Sequence, residues 1–243
     1  MLFNSPISSK KADRLIQLLD ISNDDHVLDV GCGNGEFLIR LIEVSAAHGL
    51  GIDINSELIA AAQKKASIRI PTAAYEFRIA DIQKEPLNDA SFELAICIGS
   101  THAFGKGQAA YPNTIQRLLQ LVSPGGQLLI GEGYWKQVPA EAYLQLIGDP
   151  VGIYHDHMTN ILFAEQQGLI TLYAAVSNED EWDDFEWSHR MRIEREAALY
   201  PNDPAVAEKL KRSREWRDGY LRWGRSTMGF GFYLFLKPAG DAP

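Results

Sequence analysis

Three glycines at alternating positions, Gly31, Gly33 and Gly35, interrupt the segment Val27-Leu28-Asp29-Val30-Gly31-Cys32-Gly33-Asn34-Gly35-Glu36-Phe37. An apolar run precedes them and a helix-periodic one follows. Glycines in such a turn let the backbone bend tightly and approach a ligand with no Cβ in the way. A helix starting there offers unpaired amides. This arrangement suits a nucleotide-like ligand. A dinucleotide's pyrophosphate calls for Gly-x-Gly-x-x-Gly and a helix start free of negative charge. Here the third glycine comes one residue early, and Asp29 and Glu36 flank the turn. Two carboxylates repel a diphosphate and suit a ligand bearing ammonium and sulfonium charges. The electrostatics favour S-adenosylmethionine over NAD.

A loop of this kind needs a strand before it and a helix behind it, and the chain supplies both repeatedly. Short apolar, β-branched runs bounded by turn residues predict strands over 26–30, 50–54, 75–80, 92–98 and 127–131. Helical stripes lie around them: Ala12, Leu15, Ile16 and Leu19; Phe37, Leu38, Leu41 and Ile42; Ile115, Leu118, Leu119 and Val122. Strand–helix–strand repetition predicts parallel strands with right-handed crossovers. Nearly continuous apolar strands imply helices on both sheet faces.

Beyond residue 135 the chain changes character. Thr159 reads as a helix cap and Gly168 as that helix's end, followed by strands over 169–176 and 230–236. The fold class expected is α/β, a doubly wound, mostly parallel seven-stranded sheet. Between the last two strands, 178–227 is polar and aromatic-rich, with Asp203 before Pro204 as a helix start and Trp216, Tyr220 and Trp223 at helical spacing. It is too short for a substantial core of its own. It reads as a helical, lid-like insertion in a single domain, 1–243.

In this order the motifs resemble class I S-adenosylmethionine-dependent methyltransferases of the small-molecule type, with a first motif VLDVGCGNG. The likeness covers residues 10–135 by motif and order, and the last two strands more loosely. It implies that Asp29, Gly31, Cys32, Gly33 and Gly35 adjoin the cofactor, and that Asp53, with Ile54 beside it, binds the ribose hydroxyls. It implies that Asp81 meets the adenine amino group, that Ile82 offers an apolar wall and an amide, and that Ile98 ends the fourth strand beside the methyl. Residues 121–128 resemble the family's helix–turn–strand. Taken alone, Asp53 is equally a solvated strand-end acid and Asp81 a helix cap, although strand ends in open α/β sheets favour ligand contact. Gly125 and Gly126 make a turn whatever the function. Cys32 and Cys97 read as small buried fillers rather than nucleophiles.

Methyl transfer from a sulfonium is an in-line displacement. The protein mainly aligns the reactants and excludes water, which supplies up to about 7–11 kcal/mol in small-molecule systems. A base is needed only if the nucleophile arrives protonated. His102, in Gly99-Ser100-Thr101-His102, follows the fourth strand and is the catalytic candidate; the alternative is a histidine hydrogen-bonded in a loop. Ser100 beside it is a candidate acceptor contact. His155-Asp156-His157 lacks a zinc spacing and a cysteine cluster, so no metal is expected. It reads as a polar loop, with His155 as an acceptor-site candidate.

Glu132, at the end of the fifth strand, either orients an acceptor or is exposed. All five tryptophans follow residue 131. Trp135, Trp182 and Trp187 are candidate pocket walls, since large rings enclose small molecules and stack on cations; such rings also serve merely to pack a cap. The Trp182-Asp183-Asp184-Phe185-Glu186-Trp187 run either attracts a cationic acceptor or is an exposed acidic loop. The basic run from Lys209 to Arg217 reads as a solvated helix face.

Composition sets the outer limits. The 243 residues are 46% hydrophobic and 23% charged, with net charge −9, which suits a globular protein and disfavours a nucleic-acid partner. No apolar run approaches the roughly 18 residues of a membrane span. The first twenty residues lack a secretory pattern, and two cysteines fit a reduced, cytoplasmic setting. The fourth strand ends in Ile98-Gly99-Ser100 rather than the Asp/Asn-Pro-Pro-Tyr/Phe of nucleobase or glutamine methyltransferases. No clear carboxylate set follows that strand, which weakens the metal-dependent catechol type. The expectation is methyl transfer from S-adenosylmethionine to a small molecule. Its rivals are a nicotinamide-dependent oxidoreductase and a non-catalytic S-adenosylmethionine-binding protein.

Overall fold

Seven strands form one sheet in the order β3-β2-β1-β4-β5-β7-β6. They are β1 (His26–Val30), β2 (His48–Asp53), β3 (Tyr75–Ile79), β4 (Phe92–Ile98), β5 (Val122–Trp135), β6 (Ile170–Val176) and β7 (Met228–Leu236). The computed structural model describes residues 2–148 and 151–240, so the outer limits of the expected 1–243 domain lie outside the described residues. Strands β1 to β5 pair in parallel, while β7 runs antiparallel to both β5 and β6. The mostly parallel seven-stranded sheet expected from the strand–helix alternation is therefore present.

Alternate residues of each strand serve opposite faces. Leu94, Ile96, Leu129, Phe232 and Leu234 face one core with α1 (Ser9–Ile16), α2 (Glu36–Ser45) and α3 (Ser56–Arg69). Ala95, Cys97, Leu128, Ile130, Tyr233 and Phe235 face the other, against α4 (Ala110–Leu121) and α6 (His157–Gln166). A short α5 (Glu141–Ile147) precedes α6. The 178–227 segment is helical, as α7 (Glu179–Leu199) and α8 (Pro204–Gly219), then a π-turn over Tyr220–Gly224 and a last turn at Arg225–Thr227. Trp182 and Tyr220 anchor it to the first core.

Local signals explain most boundaries. Asp203 caps α8 ahead of Pro204, and Asn178 with Glu181 forms a capping box on α7. Two expectations need correction. The cap of α6 is Asp156, which accepts from the amide of Thr159 at 2.9 Å and from its hydroxyl at 2.7 Å; Thr159 is the residue held. Strand β5 also runs well beyond 127–131, because β7 pairs with it from Gln127 to Trp135. Glycines and a glutamate break its apolar pattern without breaking the ladder.

Candidate active site

The site lies where β1, β2 and β4 end, at the carboxyl edge of the parallel sheet, the usual ligand position in open α/β folds. Gly31, Gly33 and Gly35 take φ values of 68°, 54° and 72°. This left-handed backbone is costly for residues with a Cβ, so the loop's shape explains all three glycines. A Cβ on Gly31 would also run into the Ser100 side chain. The amides of Gly31 and Cys32 donate to the carbonyl of Ile52 at 2.8 and 3.1 Å. Asp53 takes the Gly33 amide at 2.9 Å on one carboxylate oxygen and the Asn55 amide at 2.8 Å on the other.

A cavity of about 510 Å³ opens in front of this loop. Asp29, Gly31, Cys32, Gly33, Asp53, Ile54, Asp81, Ile82, Ile98 and His102 all border it, and so does Ser100, the acceptor-contact candidate. Gly35 does not. It faces Phe77 and Ala62 behind the loop, where a Cβ would clash. It lets the loop pack closely against β3 and α3.

The electrostatics differ from the sequence expectation in one respect. Glu36 is buried, but hydrogen bonds from Lys65, Arg40 and Arg69 outweigh that burial and hold its carboxyl at about 2. Its charge is balanced within the fold. Asp29 has no such partner: burial, then the nearby Asp53 charge, push it up to about 7. No lysine or arginine is among the described residues lining the cavity. Asp81 is partly exposed, pairs with Lys84 at 3.1 Å and accepts the Gln83 amide at 3.1 Å, closing a turn. Burial, followed by the charges of Asp29 and Asp53, raises the Cys32 thiol far above its usual value. Cys97 is fully buried and raised likewise. Thiols held protonated in this way are poor nucleophiles.

A second cavity of about 240 Å³ adjoins the first, sharing Asn4, Ser5, Gly99 and His102 with it. Three of the acceptor-site candidates, Glu132, His155 and Trp182, border it. Glu132 lies within β5 rather than at its end, and it is buried rather than exposed. One carboxylate oxygen accepts the Gly133 amide at 2.8 Å and the other has no partner. Burial pushes this carboxyl up to about 7, against the opposing pull of the Thr101 hydroxyl and the Gly133 amide.

Two tryptophans are placed elsewhere. Trp135 packs behind the wall, edge-on to Tyr143 and Tyr154. Trp187 is 42% exposed, with the Arg190 guanidinium 5.5 Å from its ring centre. It follows Trp182 by five residues, a rotation of about 140° on a helix, so the two cannot share a face. His157 also turns from the cavity, its Nδ1 2.9 Å from the Tyr233 hydroxyl.

Sequence reasoning missed several lining residues. Tyr111, Tyr154, Phe185 and Phe230 complete the second cavity's aromatic wall, and no spacing distinguishes them from core aromatics. Residues 2–7 contribute Asn4 and Ser5 to both cavities, from a stretch with no periodicity. Their anchor is Glu181, which accepts from the Ser8 amide at 3.1 Å and the Ser8 hydroxyl at 2.6 Å, and pairs with Lys11. Ser177 also donates to the Pro6 carbonyl. The Asn178-x-x-Glu181 capping box was the one legible trace of this junction.

Comparison with known proteins bears on the whole arrangement. A family model described as "Methyltransferase domain" matches residues 21–196. The uncharacterized protein YjhP of Escherichia coli (strain K12) is 26% identical over 237 residues, covering 96% of this chain and 93% of that one. The 27-O-demethylrifamycin SV methyltransferase of Amycolatopsis mediterranei (strain S699) is 29% identical over 57% of this chain, which spans only 48% of that relative. In three dimensions, the SAM-dependent methyltransferase from Geobacter sulfurreducens, solved with S-adenosyl-L-homocysteine, superposes with TM-score 0.86 at 24% identity, over 97% of this chain and 93% of that one. The match over residues 21–196 shows that the chain belongs to the methyltransferase domain family, and the superposition shows that it has the fold of that solved structure.

Proposed function

We propose that the chain transfers the methyl group of S-adenosylmethionine to a small-molecule acceptor, with the nucleoside in the larger cavity and the acceptor in the smaller one. The observation that carries this is the meeting of the two cavities at Gly99 and His102, just past the end of β4. The residues present fit the group. The loop is free of Cβ atoms at Gly31 and Gly33, Asp53 stands at the end of β2 for a ribose diol, and Asp29 and Asp53 face a cavity without lysine or arginine among its described lining. A diphosphate finds no counter-charge there, whereas a sulfonium and an ammonium do.

When bound, S-adenosylmethionine supplies an electrophilic methyl group on a sulfonium whose sulfur departs as a neutral thioether. The chain's part is to hold, align and exclude water. Asp81 and Ile82 are assigned to the adenine end, and Ile98 and Ser100 to the border between nucleoside and acceptor. His102, which touches both cavities, is assigned to take a proton from an acceptor that arrives protonated. From the 178–227 insertion, Trp182 and Phe185 reach the acceptor cavity. This supports a lid role for the start of α7 and not for α8.

Among the described residues no helix is long and apolar enough to cross a membrane. Two free thiols suit a cytoplasmic setting, and net charge −9 disfavours a nucleic-acid acceptor. The test is incubation with methyl-labelled S-adenosylmethionine and a panel of small alcohols, phenols and amines. Label in an organic product supports the reading; cofactor binding without transfer to any of them counts against it.

A further inference from the structure

Four acidic side chains among the described residues are buried to less than 9% exposure, and they fall into two groups. Glu36 is met by Arg40, Lys65 and Arg69, and Glu181 by Lys11. Asp29 and Glu132 have no cationic partner among the described residues, and each borders one of the two cavities. A buried carboxylate without a counter-ion is expensive to keep ionised. In the larger cavity the missing positive charge arrives with the ligand already proposed for it. The same reasoning applies one cavity over.

Resting on that functional reading, we propose that the acceptor is a small amine, whose nitrogen is carried to the free carboxylate oxygen of Glu132. Three observations support it. Glu132 is 8% exposed, and its Oε2 is buried without any hydrogen-bond partner, while Oε1 is already engaged by the Gly133 amide. No lysine or arginine is among the described residues lining this cavity; its polar lining includes Thr101, His102, His155 and Asn160, so no permanently charged cation there neutralises the carboxylate. The walls are the rings of Tyr111, Tyr154, Trp182, Phe185 and Phe230, which tolerate a cation's charge and exclude water.

The chamber also resolves how an ammonium becomes a nucleophile. In apolar surroundings a neutral pair is favoured over an ion pair. The proton passes from nitrogen to Oε2, leaving a neutral amine with its lone pair and a carboxylic acid. Glu132 thus binds the acceptor and takes the proton that frees its lone pair, which leaves His102 the proton that the methylated nitrogen then sheds.

Calorimetry on the full chain saturated with S-adenosylhomocysteine, at pH 8, tests this with three probes of one shape: phenethylamine, 2-phenylethanol and 3-phenylpropanoate. The amine should bind at least about tenfold more tightly than the alcohol, and the carboxylate should give no binding. Glu132→Gln should remove the amine's advantage while leaving the affinities for the alcohol and for S-adenosylhomocysteine unchanged. A tighter alcohol or carboxylate, an amine preference that survives Glu132→Gln, or no binding by any probe overturns the proposal. The ranking of the wild-type probes decides by itself if the variant does not fold. Absence of S-adenosylhomocysteine binding to the wild type would instead remove the functional reading on which this rests.

Discussion

The Asp53 carboxylate and the Gly33 amide are joined across two strand ends at 2.9 Å, so the acid assigned to the ribose also fixes the glycine loop. Its second oxygen steadies Asn55, whose side chain caps α3. Asp53 is therefore not a freely removable surface acid. Asp53→Ala should lower affinity for S-adenosylhomocysteine by at least about tenfold and also destabilise the fold by about 1–3 kcal/mol, as expected for losing hydrogen bonds to a charged group. Asp53→Asn, which keeps one acceptor oxygen, should lose affinity with less loss of stability. Titration calorimetry and urea denaturation of both variants check this; unchanged stability in Asp53→Ala would contradict the loop-fixing role.

The Asp29 carboxyl, held up at about 7 by burial and Asp53, is protonated below neutrality and ionised above it. A cationic ligand favours the ionised form. The affinity for S-adenosylmethionine relative to neutral-sulfur S-adenosylhomocysteine should therefore rise between pH 6 and pH 8. In Asp29→Asn that pH dependence should flatten. Paired titrations across this range measure it, and a ratio independent of pH in the wild type would contradict it.

Glu132 gives a stability prediction whose sign follows from its raised carboxyl. The folded protein holds this proton up to about 7, whereas an unfolded glutamate releases it near 4.5. Stability from this group is complete below the unfolded value and is lost as pH climbs through the folded one. The loss amounts to about 3 kcal/mol at most. Glu132→Gln removes it, so without ligand the variant should exceed the wild type in urea resistance at pH 8 and not at pH 4. Equal midpoints at both pH values would show that Glu132 is not strained by its burial.

His102 is exposed on a short 3-10 turn, Thr101–Phe104, and borders both cavities. His102→Ala should lower kcat by about a hundredfold, the ordinary scale of a lost acid–base group, with little change in S-adenosylhomocysteine binding. Turnover equal to wild type across pH would remove the assignment and leave Glu132 as the only proton acceptor assigned at the site.

Much of this was legible because parallel strands buried on both faces are almost continuously apolar. The edges of β1 and β4 could be read to the residue, and the glycine loop announced itself by its place between strand and helix. The reading weakened where polarity and burial parted company. Glu132 and the glycines around it looked like the end of a strand, yet β7 continues beside them to Met228. Glu36 looked like charge aimed at the ligand, although its neutralising partners Lys65 and Arg69 come from α3; only Arg40, four residues on, was a visible hint. Asn4 and Ser5 reach the site through tertiary contacts with Glu181 and Ser177, which no local pattern encodes.

The central claim is that the glycine loop and the acids around it hold a cationic nucleoside rather than a dinucleotide. Titration calorimetry of the purified chain with S-adenosylhomocysteine and with NAD tests it most directly. The account predicts saturable, one-to-one binding of S-adenosylhomocysteine that weakens in Asp53→Asn, and no saturable heat with NAD. Saturation by NAD with no response to S-adenosylhomocysteine would contradict it.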